Sequence, residues 1–195
     1  MKSAEKQQEA SPTEFLSHGL HKRRTILISD PIDNKVSQRV LASLLLMDQD
    51  DTEKPIDVLI NSPGGSADDG FAIYDSLRFV RAPIRTINVG LSASAATIIM
   101  LGAEKEHRYS LPNARIMIHQ PLGNIPGTSA ENLKRWAEQI LKLRTRINNL
   151  YAAETGQAIE KIQEDTDRDT WFTPEAAVEY GLISKVINNY DDLNG

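Results

Sequence analysis

The stretch GLSASAATIIMLG, residues 90 to 102, sets a turn of small residues between two apolar segments. Residues 84 to 89 have the β-branched composition of a buried strand, and residues 94 to 101 have the apolarity and length of a short helix. The turn between them carries two serines, Ser92 and Ser94, beyond the end of a strand. Small neighbours allow a backbone or a substrate to approach a serine there closely.

The same order of strand and helix recurs along most of the chain. Strands are predicted at residues 25–28, 56–60, 84–89, 115–118 and 182–187, and the apolar residues between several of them recur at helical spacing. Alternation of this kind, with near-continuous apolar strands, is typical of an α/β fold with a mostly parallel sheet covered by helices. In such sheets the chemistry gathers beyond the carboxyl ends of the strands.

Composition bounds the class of protein. A chain of 195 residues with 40% hydrophobic and 25% charged residues predicts one domain, or at most two small ones. The net charge of −5 argues against a general surface for nucleic acids or anionic membranes, which usually needs a basic excess. The chain has no cysteine, which excludes disulfides and thiol chemistry, and no apolar run approaches a membrane span. We expect a cytoplasmic protein without a nucleic-acid or membrane partner.

The ends of the chain differ from its centre. Residues 1–22 are polar with scattered hydrophobic residues, and they are predicted to form a mobile arm. Residues 23–188 are predicted to form a single domain, and residues 189–195 a frayed polar tail. Thr173 followed by Pro174 predicts a helix start, because a capping residue precedes a proline at the first helical position.

A long polar helix is predicted over about residues 131–155. Its apolar residues recur in steps of three and four and form a narrow seam: Leu133, Trp136, Ile140, Leu143, Ile147 and Leu150. A seam this narrow on a polar helix is typical of packing against a partner. The alternative is a helix that lies on the core of its own domain.

The small-residue turn could present the nucleophile of a hydrolase. A serine hydroxyl attacks a carbonyl only when a base removes its proton and donors stabilise the oxyanion, so three separate parts must converge. Ser92 and Ser94 are both candidates, and the G-x-S-x-G elbow of the α/β-hydrolases is not matched around either. A buried serine that only packs well is the alternative interpretation.

The base and the acid can be narrowed by elimination. The chain has four histidines: His18 and His21 lie in or beside the arm, and His107 lies in a charged stretch. His119 ends an apolar strand and is the best base. The carboxylate that would orient its imidazole stays open among three downstream aspartates and two near a glycine pair, which are Asp165, Asp167, Asp169, Asp68 and Asp69.

The glycine pair Gly64-Gly65 lies between a predicted strand and a helix. Backbone amides there could donate to an oxyanion, helped by the helix dipole. A phosphate cradle is the competing use, but the chain lacks the P-loop and dinucleotide-binding patterns around these glycines. No zinc-protease or EF-hand pattern is present either, so we expect neither a metal nor a cofactor.

Five stretches of the chain resemble a known family in content, order and spacing. They are INSPGG (60–65), FAIYDSLRF (71–79), GLSAS (90–94), RYSLPNARIMIHQPLG (108–123) and DTDRDTWFTPEAAVEYGLI (165–183). Together they resemble the proteolytic subunit of the Clp protease, the caseinolytic serine protease family. The resemblance covers about residues 24–187.

The resemblance implies roles that the residues alone left open. It implies a ClpP/crotonase-type fold with a protruding handle helix, and a serine endopeptidase that hydrolyses unfolded proteins through an acyl-enzyme. Ser94 would be the nucleophile, His119 the general base and Asp169 the orienting acid. The amides of Gly65 and Ala95 would form the oxyanion hole.

The resemblance also implies partners. Two stacked heptameric rings would enclose a chamber, with the handle helix interlocking the rings, and a Clp-family AAA+ ATPase would deliver unfolded substrates. The apolar pocket for docking this ATPase would be formed by Leu59, Phe79, Ile87, Val89 and Tyr109.

Four features depart from the pattern of the family. Ala95 stands where many relatives have methionine, and the handle start at residues 127–133 is one residue longer. Asp57 stands where an aromatic residue of the docking pocket often lies, and the N-terminal arm is unlike the usual axial loop.

These departures leave two alternatives to an active protease. One is a catalytically silent ring subunit that pairs with an active paralogue. The other is an acyl-CoA enzyme of the crotonase fold, which could use the same glycine amides for a thioester oxyanion but gives no reason for the serine, histidine and aspartate together.

Overall fold

A computed structural model describes residues 12–122 and 129–193, and helices alternate with strands along both segments. The helices are α1 (Pro12–Lys22), α2 (Asn34–Asp50), α3 (Ala67–Phe79), α4 (Ala95–Met100), α5 (Ala130–Thr155), α6 (Ile159–Asp165) and α7 (Pro174–Tyr180). The strands are β1 (Thr25–Ile28), β2 (Ile56–Ser62), β3 (Ile84–Ala93), β4 (Arg108–Ser110), β5 (Arg115–Ile118), β6 (Thr170–Phe172) and β7 (Lys185–Val186). Short 3-10 helices cover Lys105–His107 and Tyr190–Leu193.

The strands form one sheet that forks along β3. Its parallel path runs β1-β2-β3-β4-β7, and β5 pairs with β3 beyond β4. β4 lies beside Thr86–Asn88, whereas β5 lies beside Leu91–Ala93 at the carboxyl end of the same strand. β6 pairs with β5 in the antiparallel direction. The prediction of an α/β fold with a mostly parallel sheet is confirmed.

The two faces of the sheet carry two separate apolar clusters. Side chains alternate between faces along a strand, so even-numbered β2 residues such as Val58 and Ile60 point into the main core beside the helices. On the other face, Ile87 of β3 packs with Tyr109 of β4 in a smaller cluster. The helices thus cover one face, while the second face keeps an apolar patch of its own.

Both predicted chain ends contain a short helix. Pro12–Lys22 is helical where a mobile arm was predicted, and residues 1–11 of that arm lie outside the described residues. Tyr190–Leu193 forms a 3-10 helix where a frayed tail was predicted. The reason is local, because Leu193 is buried and the Asp192 carboxylate accepts hydrogen bonds from the amides of Asn188 and Asn189.

Short elements account for the other differences from the predicted strands and helices. β4 and β6 have three residues each, too few for an alternating pattern to be read, and α6 has seven. The last strand is two residues long, although residues 182–187 were predicted to be extended. The helix start at Thr173 is confirmed, since its hydroxyl accepts a hydrogen bond from the amide of Ala176. No helix in residues 12–122 or 129–193 is long and apolar enough to cross a membrane.

The seam of α5 divides into two halves. Leu133 and Trp136 are 44% and 49% exposed. Leu143, Ile147 and Leu150 pack against the core of the same chain. The second half of the helix therefore packs on the core of its own domain, which is the alternative given above. Packing against a partner stays a prediction for the first half. Residues 127–128 of the longer handle start lie outside the described segments.

Candidate active site

Ser94 occupies a strained turn between β3 and α4. Its φ of 57° is uncommon for a residue with a side chain, and it precedes the first residue of α4. The turn is held from the next strand, because the Ser94 amide donates to Met117 O at 3.0 Å. The buried Thr97 hydroxyl lies 2.8 Å from Ser92 O and 2.9 Å from Met117 O. These bonds fix the direction of the Ser94 side chain at the carboxyl edge of the sheet.

His119 directly follows β5, the strand that lies beside the end of β3. The pairing of Ala93 with Met117 brings the residues after both strands to the same edge. His119 Nε2 lies 2.7 Å from Ser94 Oγ, and the histidine side chain is only 12% exposed. The imidazole is thus held within hydrogen-bond reach of the serine hydroxyl.

Asp169 reaches the other nitrogen of His119 because of the antiparallel pairing of β5 and β6. Ile118 pairs with Thr170, so the residue that follows β5 faces the residue that precedes β6. Asp169 Oδ1 lies 3.1 Å from His119 Nδ1. With its proton on Nδ1, the imidazole would donate a hydrogen bond to this carboxylate, and Nε2 would be free to accept the hydroxyl proton of the serine, which is the arrangement that a hydrolase base needs.

The loop that carries Asp169 is tied to β5 and α5. The Gln120 amide donates to Thr166 O at 2.6 Å, and its side-chain amide donates to Asp167 O at 2.9 Å. The buried Thr166 hydroxyl also hydrogen-bonds Asn148 on α5. The position of the exposed Asp169 side chain therefore rests on buried contacts of its neighbours.

The other serine and histidine candidates lie elsewhere. Ser92 is fully buried, and in the described part of the chain its Oγ has no hydrogen-bond partner. His18 lies on α1, His21 pairs with Asp50 at 3.2 Å, and His107 ends a 3-10 helix. The structure brings only Ser94 and His119 together from these two groups of candidates.

The rival carboxylates also have other surroundings. Burial would raise the pKa of Asp165, but hydrogen bonds from Tyr180 and Lys161 outweigh it and hold the pKa below its usual range. Asp167 faces Arg144 at 3.5 Å. Asp68 and Asp69 lie in the first turn of α3, where a negative charge complements the helix dipole.

The glycine loop packs its backbone onto the Ser94 turn. Gly64 has a φ of 87°, and a Cβ there would lie 2.8 Å from the Ser94 Cβ, so a side chain would push the two segments apart. Gly64 O and Ser66 N bond to Ile32, and this bridge does not use the amide of Gly65. The amide of Ala95 belongs to the first turn of α4, where no intrahelical acceptor exists. Both predicted oxyanion donors thus lie in segments next to Ser94.

A cavity of about 460 Å³ adjoins these residues. Its wall includes both Ser94 and His119, the glycine loop and apolar side chains from β5, α4 and α5: Met117, Ile98, Leu143, Ile147 and Tyr151. Burial raises the pKa of Tyr151, so its hydroxyl stays neutral. Among the described lining residues, Asp68 is the one carboxylic acid. The cavity can hold an apolar side chain next to the serine.

Sequence reasoning missed the part of α5 in this cavity. Ile147 belongs to the seam, for which packing against a partner or against the core of its own domain was predicted, and Tyr151 was not singled out. The signal was available in part, since Tyr151 lies four residues after Ile147 on the same helical face.

The predicted docking pocket is found in part. Leu59, Ile87 and Val89 line a cavity of about 200 Å³ on the second face of the sheet, and Tyr109 packs in the same cluster. Phe79 ends α3, is 80% exposed and does not line this cavity, so its part in docking stays a prediction. Five further residues line the cavity and were not predicted from the sequence: Leu111, Ile187, Asn189, Tyr190 and Leu193.

Comparisons with known proteins identify the family of the chain. A family model described as Clp protease matches residues 7–190. The chain is 43% identical over 189 residues to an ATP-dependent Clp protease proteolytic subunit 2 of Treponema denticola, covering 97% of this chain and 94% of the relative. It is also 43% identical over 171 residues to an ATP-dependent Clp protease proteolytic subunit of Paracoccus denitrificans, covering 88% and 85%.

A solved structure gives the same result for the fold. The ClpP1 N165D mutant from Listeria monocytogenes superposes with a TM-score of 0.84 at 39% sequence identity, covering 91% of this chain and 99% of that one. The family model, the two relatives and this structure match the chain over most of its length. The chain therefore belongs to the Clp protease family.

Proposed function

We propose that this protein is the proteolytic subunit of an ATP-dependent Clp protease, a serine endopeptidase that uses Ser94, His119 and Asp169. The observation that carries the proposal is the chain of hydrogen bonds from Ser94 Oγ to His119 Nε2 and from His119 Nδ1 to Asp169, at 2.7 Å and 3.1 Å. Relatives that match this chain over most of both lengths bear the name of this proteolytic subunit.

The first half of the reaction would transfer an acyl group to Ser94. Its oxygen attacks the carbonyl carbon of the scissile peptide bond while His119 Nε2 takes the hydroxyl proton. Asp169 stabilises the imidazolium, and the amides of Gly65 and Ala95 donate to the oxyanion. The C–N bond then breaks as His119 passes its proton to the leaving amine, and the new amino terminus departs.

The second half would return the free enzyme. A water molecule attacks the ester carbonyl of the acyl-enzyme, and His119 takes one of its protons. The bond to Ser94 Oγ breaks, the serine regains its proton from His119, and the carboxylic acid product leaves. These steps need no metal or cofactor in the subunit.

The substrate would lie as an extended chain across the cavity. Apolar walls from α4 and α5 favour an apolar or long aliphatic side chain of an unfolded protein, because they remove its surface from water. Asp68 adds a carboxylate to the same wall. A lysine side chain fits both features, since its stem is apolar and its tip is cationic.

Assembly would enclose this site. Members of the family associate with Clp ATPases and form oligomers, and we propose two stacked heptameric rings in the cytoplasm, with copies of this chain alone or with a paralogue. The exposed first half of the α5 seam supports packing between copies, because Leu133 and Trp136 offer apolar surface on a polar helix. An AAA+ unfoldase would deliver substrates through the apolar pocket that includes Leu59, Ile87 and Val89.

Neither alternative has an observation of its own in its favour. A silent ring subunit does not need a histidine within 2.7 Å of a strained serine. A crotonase-type acyl-CoA enzyme would use the glycine amides but not the Ser94 hydroxyl.

Replacing the serine tests the proposal directly. Ser94→Ala should lower kcat/KM for a fluorogenic peptide by about 10⁴-fold or more, because the nucleophile is lost. The matched control is Ser92→Ala two residues away, which removes a buried hydroxyl and should leave most of the activity. Equal activity of Ser94→Ala and the unmodified enzyme would reject the assignment, provided that circular dichroism shows both folded.

The role of the Asp169 carboxylate can be distinguished from the effect of removing any negative charge from the same loop. Asp169→Asn should lower kcat by about 10²- to 10⁴-fold with little change in KM, because an amide cannot stabilise the imidazolium or hold its tautomer in the same way. Asp167→Asn, which loses exposed ion pairs with Arg144 and Arg168, should stay within about threefold of the unmodified enzyme. Equal effects of the two substitutions would contradict the assigned role.

The carboxylate in the cavity wall should affect substrate choice. Asp68→Asn should reduce the ratio of kcat/KM for a lysine-containing peptide to that for its glutamine counterpart by about two- to fivefold, with less effect at high salt. Asp69→Asn is the matched control, because this neighbour does not line the cavity. An unchanged ratio in Asp68→Asn would show that the carboxylate does not contact substrate.

The role of the α5 seam in assembly can be tested by measuring the mass of the assembled protein in solution. Trp136→Ala should shift the assembly toward smaller species, because each contact that buries the indole loses about 2–3 kcal/mol of apolar stabilisation. Glu138→Ala on the same exposed part of α5, but off the seam, should keep the native mass. An unchanged native mass for Trp136→Ala would remove this helix from the interface.

A further inference from the structure

The apolar pocket on the second face of the sheet has a polar end built by strand register. Asp57 of β2 pairs with Arg85 of β3, and two residues further on Leu59 pairs with Ile87. Residues two apart on a strand point to the same face, so the ion pair and the apolar row lie side by side. Tyr109 continues the row on β4.

The ion pair is almost fully removed from water. Asp57 is 2% exposed and Arg85 is 9% exposed. Arg85 Nε donates to Asp57 Oδ1 at 2.5 Å, and Arg85 Nη2 donates to Asp57 Oδ2 at 3.0 Å. A buried carboxylate needs such partners, because an unpaired charge in an apolar surrounding is strongly unfavourable.

The C-terminal turn, Tyr190–Leu193, lies on this pocket and contacts both of its ends. The Tyr190 hydroxyl donates to Asp57 Oδ2 at 2.9 Å. Arg85 Nη1 donates to Leu193 O at 3.3 Å. The Leu193 side chain is buried in the cluster of Ile87, Tyr109 and Ile187. The hydrogen bond to Asp57 also raises the pKa of Tyr190, so the hydroxyl stays a donor well above neutral pH.

The C-terminal turn has a defined shape of its own. Asp192 Oδ2 accepts hydrogen bonds from Asn188 N at 2.8 Å and Asn189 N at 3.1 Å. These bonds lower the pKa of Asp192 and keep it charged. Asn189 Oδ1 accepts from Asp191 N at 3.0 Å. Tyr190 and Leu193 are therefore presented to the pocket by a braced loop.

Much of the pocket belongs to the strands and does not depend on the C-terminal turn. Leu59, Ile87 and Val89 lie on β2 and β3, inside the paired part of the sheet. Tyr190 is 57% exposed, and one apolar side chain and two hydrogen bonds connect the turn to the pocket. The pairing of β2 with β3 would therefore not be broken by departure of the turn.

We propose that the C-terminal turn is a built-in occupant of part of this pocket, where it walls the remaining cavity of about 200 Å³, and that a docking segment of the ATPase has to displace it. The chemistry of the turn then describes the segment that replaces it. That segment offers an apolar side chain in the place of Leu193, a hydroxyl donor to Asp57 and a backbone carbonyl to Arg85. The inference rests on the proposed association with an ATPase and not on the chemistry at Ser94.

Hydrogen exchange measures whether the turn occupies the pocket. Leu193→Ala should speed exchange of the amides in residues 187–193 by about tenfold or more, since it removes the buried anchor. Tyr190→Phe keeps the ring but loses the bond to Asp57, and should speed exchange by about three- to tenfold. The matched control is Asp191→Asn, whose exposed side chain lies on the same turn, and its exchange should change by less than about twofold.

A synthetic peptide of residues 188–193 tests occupancy from outside. A variant that ends at residue 187 lacks the turn, so its pocket should be open. The apolar dye ANS should bind to this variant better than to the full chain, and the peptide should displace the dye. A peptide with alanine in the place of Leu193 should displace the dye only at a concentration at least about threefold higher. Exchange that is unchanged in Leu193→Ala, or equal displacement by the two peptides, would overturn the inference.

Hydrolysis of a short fluorogenic peptide is measured on the same variants. Full hydrolysis beside unchanged exchange means that the turn is not an occupant while the protease assignment stands. If only Ser94→Ala loses hydrolysis and the turn variants show the predicted faster exchange, the protease assignment and the occupancy of the pocket by the turn are both supported.

Discussion

The hydrogen bond between Ser94 Oγ and His119 Nε2 depends on how the sheet forks. β3 is long enough to pair with β4 in its first half and with β5 at its carboxyl end. The second pairing brings the turn after β3 beside the residue after β5, and the antiparallel β6 then brings Asp169 to the far side of the imidazole. Three side chains that are far apart in sequence meet because three strand ends meet. The Thr97 hydroxyl and the Gly64 backbone hold the Ser94 turn at that edge.

The sequence could predict the strands and the residue types at this edge but not the contacts between them. Apolar runs and small-residue turns predicted β1, β2, β3 and β5, and elimination selected His119. Residue chemistry left Ser92 open beside Ser94 and left five aspartates open. The strand pairings separate these candidates, because they bring the ends of β3 and β6 beside His119, whereas Ser92 is buried within β3 and Asp165 ends α6. The family resemblance supplied the same residues that the sheet brings together.

The long helix α5 shows a second limit of prediction from the sequence pattern. A strict seam on α5 predicted one partner surface, yet the structure gives its two halves different neighbours. Ile147 and Leu143 line the cavity beside Ser94, whereas Leu133 and Trp136 stay exposed. Periodicity reports which face of a helix is apolar, but it does not report what lies opposite that face. One helix can therefore shape the substrate cavity and still offer apolar surface for assembly.

Asp57 departs from the family pattern, and its contacts explain why a carboxylate is tolerated there. A carboxylate on an apolar face would be costly alone, but the register of β2 and β3 sets Arg85 beside it, and the Tyr190 hydroxyl completes the network. This network joins the C-terminal turn to the pocket. No local pattern predicted it, because the partners lie on β2, β3 and the last residues of the chain.

The most direct measurement of the central claim is the position of a fluorophosphonate adduct on the unmodified protein, found by tandem mass spectrometry. The account predicts one covalent phosphonyl group on Ser94, because the reagent requires a serine whose proton a neighbouring base removes. An adduct on Ser92 or on another hydroxyl, or no adduct on a protein that cleaves peptides, would contradict the convergence of Ser94, His119 and Asp169 as the reactive centre.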